Sequence, residues 1–145
     1  MTEIAFHFNV PDKLLYSCRL LRKIYTSGAR AVVTAEPEVL AELDALLWHF
    51  SPTEFVPHCM GNAPALTLAA TPIVLTGALA DSAHHEVLVN LGPDIAQGFE
   101  GFERCIELVA LPLEEVSAGR RRWKHYVARG YDLIRHDLAA PGSRA

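Results

Sequence analysis

Val87-Leu88-Val89-Asn90-Leu91 decides the fold. The run is short, β-branched and apolar at successive positions, so neither of its faces can be left to water. A strand that needs cover on both sides belongs in the middle of a parallel sheet flanked by helices. Working outward, residues 77–85 read as a turn region and Ile73-Val74-Leu75-Thr76 as a neighbouring strand. Residues 59–72 hold Gly61, Pro64 and Pro72 and read as a loop, with Leu66-Thr67-Leu68 as a short strand within it. On the other side, Gly92-Pro93-Asp94 opens a helix through about residue 104, weakened by Gly98 and Gly101. Residues 105–109 form a last strand. Pro112 opens the final helix with Glu114 and Glu115 in its first turn, and Gly130 ends it.

The N-terminal half has the same rhythm. Ile4, Phe6, Phe8 and Val10 alternate with Ala5, His7 and Asn9, which predicts a strand with one firmly buried face. Asp12 is placed to cap a helix whose stripe is Leu14, Cys18, Leu21 and Tyr25, and Gly28 stops it. Residues 31–34 form a strand. Pro37 sits in the first turn of the next helix, whose inward face is Val39, Leu40, Leu43, Leu46 and Leu47. Strands alternate with helices throughout, which implies a single-domain α/β three-layer sandwich over residues 1–138, with a mostly parallel sheet and helices on both faces. The tail 139–145 is expected to be disordered.

With 145 residues, half of them hydrophobic and 21% charged, the chain has the composition of one globular domain. No apolar run approaches the roughly 20 residues of a membrane-spanning helix. Met1-Thr2-Glu3 lacks a secretory pattern, and Cys18, Cys59 and Cys105 have no paired spacing. Together these predict reduced thiols and a cytoplasmic protein, with no membrane partner. The net charge of −4 is unevenly spread. From Pro112 onward seven Lys/Arg face four acids, a net +3, which leaves −7 on residues 1–111. An acidic body repels phosphates, so one basic patch suits a short acidic segment better than general nucleic-acid binding.

Nothing points to catalysis. The chain has neither the G-x-G-x-x-G nor the G-x-x-x-x-G-K-[ST] phosphate loop. The pairs His58-Cys59 and His84-His85 match no zinc spacing and read as surface histidines and a buried thiol. No catalytic residue, metal or cofactor is expected.

Two stretches stand out instead. Residues 48–58 carry Trp48, Phe50 and Phe55 among Ser51, Pro52 and Pro57. Aromatics in an irregular segment are either pinned to their own core, their usual fate, or offered to a partner. In the final helix, Val116, Arg120, Trp123, Lys124 and Val127 share one side. Trp123 and Val127 are natural core contacts, while Arg120 and Lys124 flank the indole as a planar fork and a point charge. An apolar notch bordered by two cations fits an acidic peptide that ends in an aromatic residue and a free carboxylate. A rival use of the same helix is direct single-stranded nucleic-acid binding, with Trp123 and Tyr126 as stacking platforms.

Leu46-Leu47-Trp48 with Phe55-Val56-Pro57-His58, and Gly119-Arg120-Arg121-Arg122-Trp123-Lys124-His125-Tyr126 with Gly130-Tyr131, resemble the chi subunit family of bacterial DNA polymerase III. The likeness extends to Ile4-Ala5-Phe6-His7-Phe8 and to the order of elements between. It implies a Rossmann-like fold and a non-catalytic accessory subunit of the replicative polymerase, associated with the nucleoid and meeting nucleic acid mainly indirectly. It implies that Arg120, Trp123, Lys124 and Val109, with Gly130 and Tyr131, hold the acidic C-terminal tail of single-stranded DNA-binding protein. Trp123 stands where the family often has tyrosine and keeps the stacking face without the hydroxyl. A second partner, the psi subunit of the clamp loader or an alternative such as a helicase, is expected at Phe55, Val56 and Pro57. Trp48 belongs there, at the tail site, or in the core.

Overall fold

A computed structural model of the protein describes residues 1–49, 55–80 and 82–139. Seven parallel strands form one sheet in the order β3-β4-β2-β5-β6-β1-β7. They are β1 (Glu3–Val10), β2 (Ala31–Thr34), β3 (His58–Met60), β4 (Ile73–Leu75), β5 (Val87–Asn90), β6 (Arg104–Ala110) and β7 (Leu133–Asp137). The helices are α1 (Lys13–Thr26), α2 (Pro37–His49), α3 (Ala65–Ala70) and α4 (Leu113–Ala128), with a 3₁₀ turn at Phe99–Gly101. The architecture is the three-layer Rossmann-like sandwich expected. β5 lies between β2 and β6 with all four residues buried, as its apolar run requires.

Successive residues of each strand serve opposite cores. Val33, Val89, Ile106 and Leu108 point to a core completed by Leu21 and Ile24 of α1 and by Leu40, Leu43 and Leu47 of α2. Val32, Leu88, Cys105 and Val109 point to the other, closed by Phe99, Phe102 and Tyr126, with Trp123 packed against it. The Asp12 carboxylate accepts from the Leu15 amide at 3.1 Å, the cap that the sequence suggested. Gly28 adopts φ 86°, a left-handed turn that ends α1 and favours glycine.

Several expectations need correction. Val10 does not share a face with Ile4, Phe6 and Phe8 but joins the core beneath α1 and α2. The cause is Asn9, whose φ of 61° inserts an irregularity between Phe8 and Val10 and reverses the alternation. Residues 66–68 are helical, within α3, rather than a strand. Six residues that bury no side chain leave no helical period to read. The helix expected over 92–104 is reduced to the single 3₁₀ turn, because Gly98 adopts φ 98°. β3 was hidden in a three-residue run, and β7 in the charged sequence Leu133-Ile134-Arg135-His136-Asp137, so β6 is not the last strand. Leu46 and Tyr25 are exposed rather than inward. Phe50, Ser51 and Pro52, and all of the 139–145 tail beyond Ala139, lie outside the described residues.

β1 and β7 meet through a polar contact that makes folding pH-dependent. His7 stacks on His136 with ring centroids 4.7 Å apart, and the Tyr16 hydroxyl and His7 Nδ1 share a hydrogen bond. Burial, and then the neighbouring His136, hold the His7 imidazole down to about 4. Above pH 6.5 neither the folded nor the unfolded chain protonates it. Between 6.5 and 4 the unfolded chain gains a proton that the folded one refuses, so stability falls with pH, by at most about 3 kcal/mol, and levels off below 4. Urea unfolding from pH 7 to 4.5 should therefore show a shallower loss for His7→Gln than for the native protein. Parallel profiles would rule this contact out as the source.

Candidate functional site

The final helix does not present the face its sequence suggested. Its buried side is Ala118, Gly119, Arg122 and Tyr126. Arg122 is sequestered by Glu107, a β6 residue with no exposed surface. The Arg122 Nε donates to Glu107 at 2.8 Å, and its other nitrogens reach the carbonyls of Pro93 and Leu108. The Tyr126 hydroxyl donates to the same carboxylate at 2.6 Å, and Asn90 donates to both of its oxygens. Burial pushes the Glu107 carboxyl up, opposed by Arg122 and by the bonds from Tyr126 and Asn90. One of the five basic residues between Gly119 and Gly130 is thus spent inside the fold. Tyr126 is buried and cannot serve as a stacking platform. Val127, expected in the core, is exposed.

Seating Arg122 and Tyr126 inward rotates α4 so that Val116, Gly119, Arg120 and Trp123 overhang the sheet. Together with Phe6, Phe8, Asn9, Val109 and Arg135 they line a cavity of about 500 Å³. Its floor is apolar: Phe6 meets the Trp123 ring edge-on at 5.1 Å, and Val109 rises from β6. Its charged members are Arg120 and Arg135, with no acid among the lining residues. The Arg135 guanidinium lies 5.3 Å from the Phe8 ring centroid and 5.9 Å from that of Trp123, a position that cation–π attraction favours. Asn9 sits at the lip, its amide donating to Asp137 at 2.7 Å.

The site residues named from sequence divide accordingly. Val109, Arg120 and Trp123 line one cavity. Lys124 is exposed on the same helix but is not among the lining residues. Gly130 and Tyr131 are not among them either, and Tyr131 packs on Phe99 and Tyr126. Arg135, Asn9 and Phe8 were missed. Arg135 comes from a strand too polar to be recognised, and it reaches the site only because β7 pairs with β1, Arg135 opposite Phe6.

Gly119 allows α4 to lie close on β6. A Cβ at this position would come within 2.8 Å of Val109 Cγ2 and 3.0 Å of Cγ1. Valine is stiff at χ1 and cannot turn away cheaply. Gly119→Ala should therefore lower stability by about 1 kcal/mol despite its better helix propensity, and Val109→Ala in the same chain should recover most of the loss. Urea unfolding of the native protein, the single variant and the double variant checks this. A Gly119→Ala single variant as stable as the native protein would refute the close approach.

The aromatic stretch forms a second surface. Trp48 and Phe55 are 56% and 50% exposed, so of the two fates weighed for this stretch these two rings are not pinned in the core. Their ring centroids are 5.1 Å apart. His58 joins them, 5.1 Å from Trp48 and 5.8 Å from Phe55. It is held by the Asp44 carboxylate at 3.0 Å and by the Val56 carbonyl at 2.8 Å. Val56 is buried in the core, and Pro57 is half-buried beside it. His58 and His84 are buried rather than superficial. Among the described residues no three His, Cys, Asp or Glu converge as a metal site. Burial pushes the Cys18 thiol up to about 11 and raises Cys105 as well, which leaves both poor nucleophiles. No helix among the described residues is long and apolar enough to cross a membrane.

Comparison with known proteins agrees with the resemblance noted from sequence. The family model described as "DNA polymerase III chi subunit, HolC" matches residues 1–134. The chain is 28% identical over 144 residues to DNA polymerase III subunit chi of Pseudomonas aeruginosa, a match spanning 95% of this chain and 98% of that protein. It is 29% identical over 119 residues to the subunit of the same name from Haemophilus influenzae, spanning 81% of each.

Proposed function

Because the chain belongs to the DNA polymerase III chi subunit family, an accessory component of replication, we propose that it works by binding alone and that the cavity beneath α4 holds the acidic C-terminal tail of single-stranded DNA-binding protein. The observation that carries this reading is the cavity itself, an apolar floor under two arginines with no acid lining it. A terminal aromatic ring would enter between Trp123, Phe6 and Val109. Its carboxylate and the acidic residues before it would meet Arg120 and Arg135, with exposed Lys124 adding to the field around the rim. The Trp48–Phe55 pair then serves the second partner, psi or another protein of the replisome, so that the subunit bridges coated template to the polymerase assembly. Contact with nucleic acid is indirect, in keeping with the −7 carried by residues 1–111.

The test is calorimetric titration with a short acidic peptide ending in Asp-Phe-carboxylate, at low and moderate salt, beside the same peptide amidated at its C-terminus. Binding should weaken with salt, and amidation should cost about tenfold, or roughly 1.4 kcal/mol. No binding at low salt would refute the reading. Phe55→Ala should leave this titration unchanged while releasing a co-expressed psi subunit during purification. Retention of psi would remove Phe55 from that interface.

A further inference from the structure

We propose that Asn9 is a positioning residue of the cavity beneath α4: it holds the Asp137 carboxylate aside and so keeps the Arg135 guanidinium open to an acidic peptide, a role that rests on that cavity binding the peptide.

The need for such a residue lies in β7. Side chains two apart on a strand share a face, about 7 Å from one another. Arg135 and Asp137 are two apart, opposite Phe6 and Phe8 of β1. An extended arginine spans that distance, and a carboxylate beside it is its natural partner. Yet among the described residues Arg135 forms no ion pair. Its guanidinium lies against the Phe8 and Trp123 rings instead. Asp137 is engaged elsewhere. Its Oδ1 accepts from the Asn9 side-chain amide at 2.7 Å and from the Ala139 backbone amide at 2.9 Å. The bond from Asn9, and then that from Ala139, hold the carboxyl below the usual carboxylate range, so the acid beside Arg135 is ionised at neutral pH. The Ala139 bond is a local turn within the end of β7. Only the Asn9 bond ties the carboxylate to another strand.

The backbone explains why the residue is asparagine. In a regular β1, residue 9 would point away from Phe8, to the layer of α1 and α2. The register break between Phe8 and Val10 interrupts that alternation, and Asn9 lines the α4 cavity beside Phe8. Its φ of 61° is the one positive value on a non-glycine residue among the described residues. Glycine, asparagine and aspartate adopt this region most readily. Glycine brings no side chain, and an ionised aspartate would repel Asp137. Of the three, asparagine alone suits the backbone and donates to the carboxylate. If the turn were its whole purpose, glycine would serve as well.

The test is calorimetric titration of the full chain with the acidic peptide ending in Asp-Phe-carboxylate. Asn9→Gly should weaken binding about fivefold, the size that an exposed ion pair competing for Arg135 allows. Asp137→Asn should not weaken it, and Asn9→Gly/Asp137→Asn should return to within about twofold of the native protein. In an Arg135→Ala background, Asn9→Gly should change affinity by less than about twofold. Unchanged affinity in Asn9→Gly, failure of Asp137→Asn to rescue it, or an equal loss without Arg135 would each overturn the proposal. The peptide-free protein gives a separate readout. The Arg135 Nε–Hε NMR signal should move on Asn9→Gly and move little when the same change is made in Asp137→Asn. A signal that stays in place would overturn the proposal even where the native protein binds the peptide. A signal that moves, with no peptide binding by the native protein, would uphold the hold of Asn9 on Asp137 and overturn only the peptide-binding reading.

Discussion

Glu107→Ala is expected to destabilise the fold by about 3–5 kcal/mol, a large share of what a domain of this size has to lose. The reason is the charge left behind rather than the contact removed. Arg122 is 3% exposed, so without Glu107 its guanidinium is a buried cation whose remaining partners are two carbonyls. The Tyr126 hydroxyl and the Asn90 amide lose an acceptor at the same moment. The control is Glu107→Leu/Arg122→Met, which removes both charges at similar volume and should recover most of the loss, since a buried pair contributes little net stability over an apolar substitute. Denaturant unfolding of the native, single and double variants measures both numbers. A single variant within about 1 kcal/mol of the native protein would mean that water reaches Arg122 and that the network does not anchor α4.

The same network shows why the sheet could be read from sequence and the helix face could not. Residues 87–91 had to be covered on both sides, and their apolar run alone leads to a parallel sheet. Arg122 looks like its neighbours Arg120 and Arg121 in the sequence. Only Glu107, fifteen positions away and embedded among apolar β6 residues, tells them apart, and an acid inside a strand gives no hint of its partner. Trp123 and Arg120 could be named because they follow one another around the helix. Arg135 could not, because its strand alternates poorly and owes its place to the pairing of β7 with β1. Trp48 and Phe55 could not be placed from composition alone, for a different reason. Burial is the usual fate of aromatics, and their exposure follows from Val56 and Leu47 filling the core positions beside them.

Trp123→Ala should reduce affinity for the acidic tail peptide about a hundredfold, and Arg120→Ala about tenfold, without comparable loss of stability. Trp123 forms one wall, meets Phe6 edge-on and carries the guanidinium of Arg135 on its face. Truncating it opens the pocket and frees Arg135 together. Arg120 acts mainly by charge, so Arg120→Lys should retain part of the affinity and Arg120→Glu should abolish binding at moderate salt. Arg135 provides the sharpest discrimination. If the peptide's acids use both rims, Arg135→Ala should cost about as much as Arg120→Ala, and the double variant should show a nearly flat salt dependence. If the acids lie along α4 only, Lys124→Ala will be the costly change instead and Arg135→Ala will be silent. Calorimetry of these variants with one peptide at two salt concentrations decides between the two arrangements. Trp123→Ala binding as tightly as the native protein would remove the cavity from the function altogether.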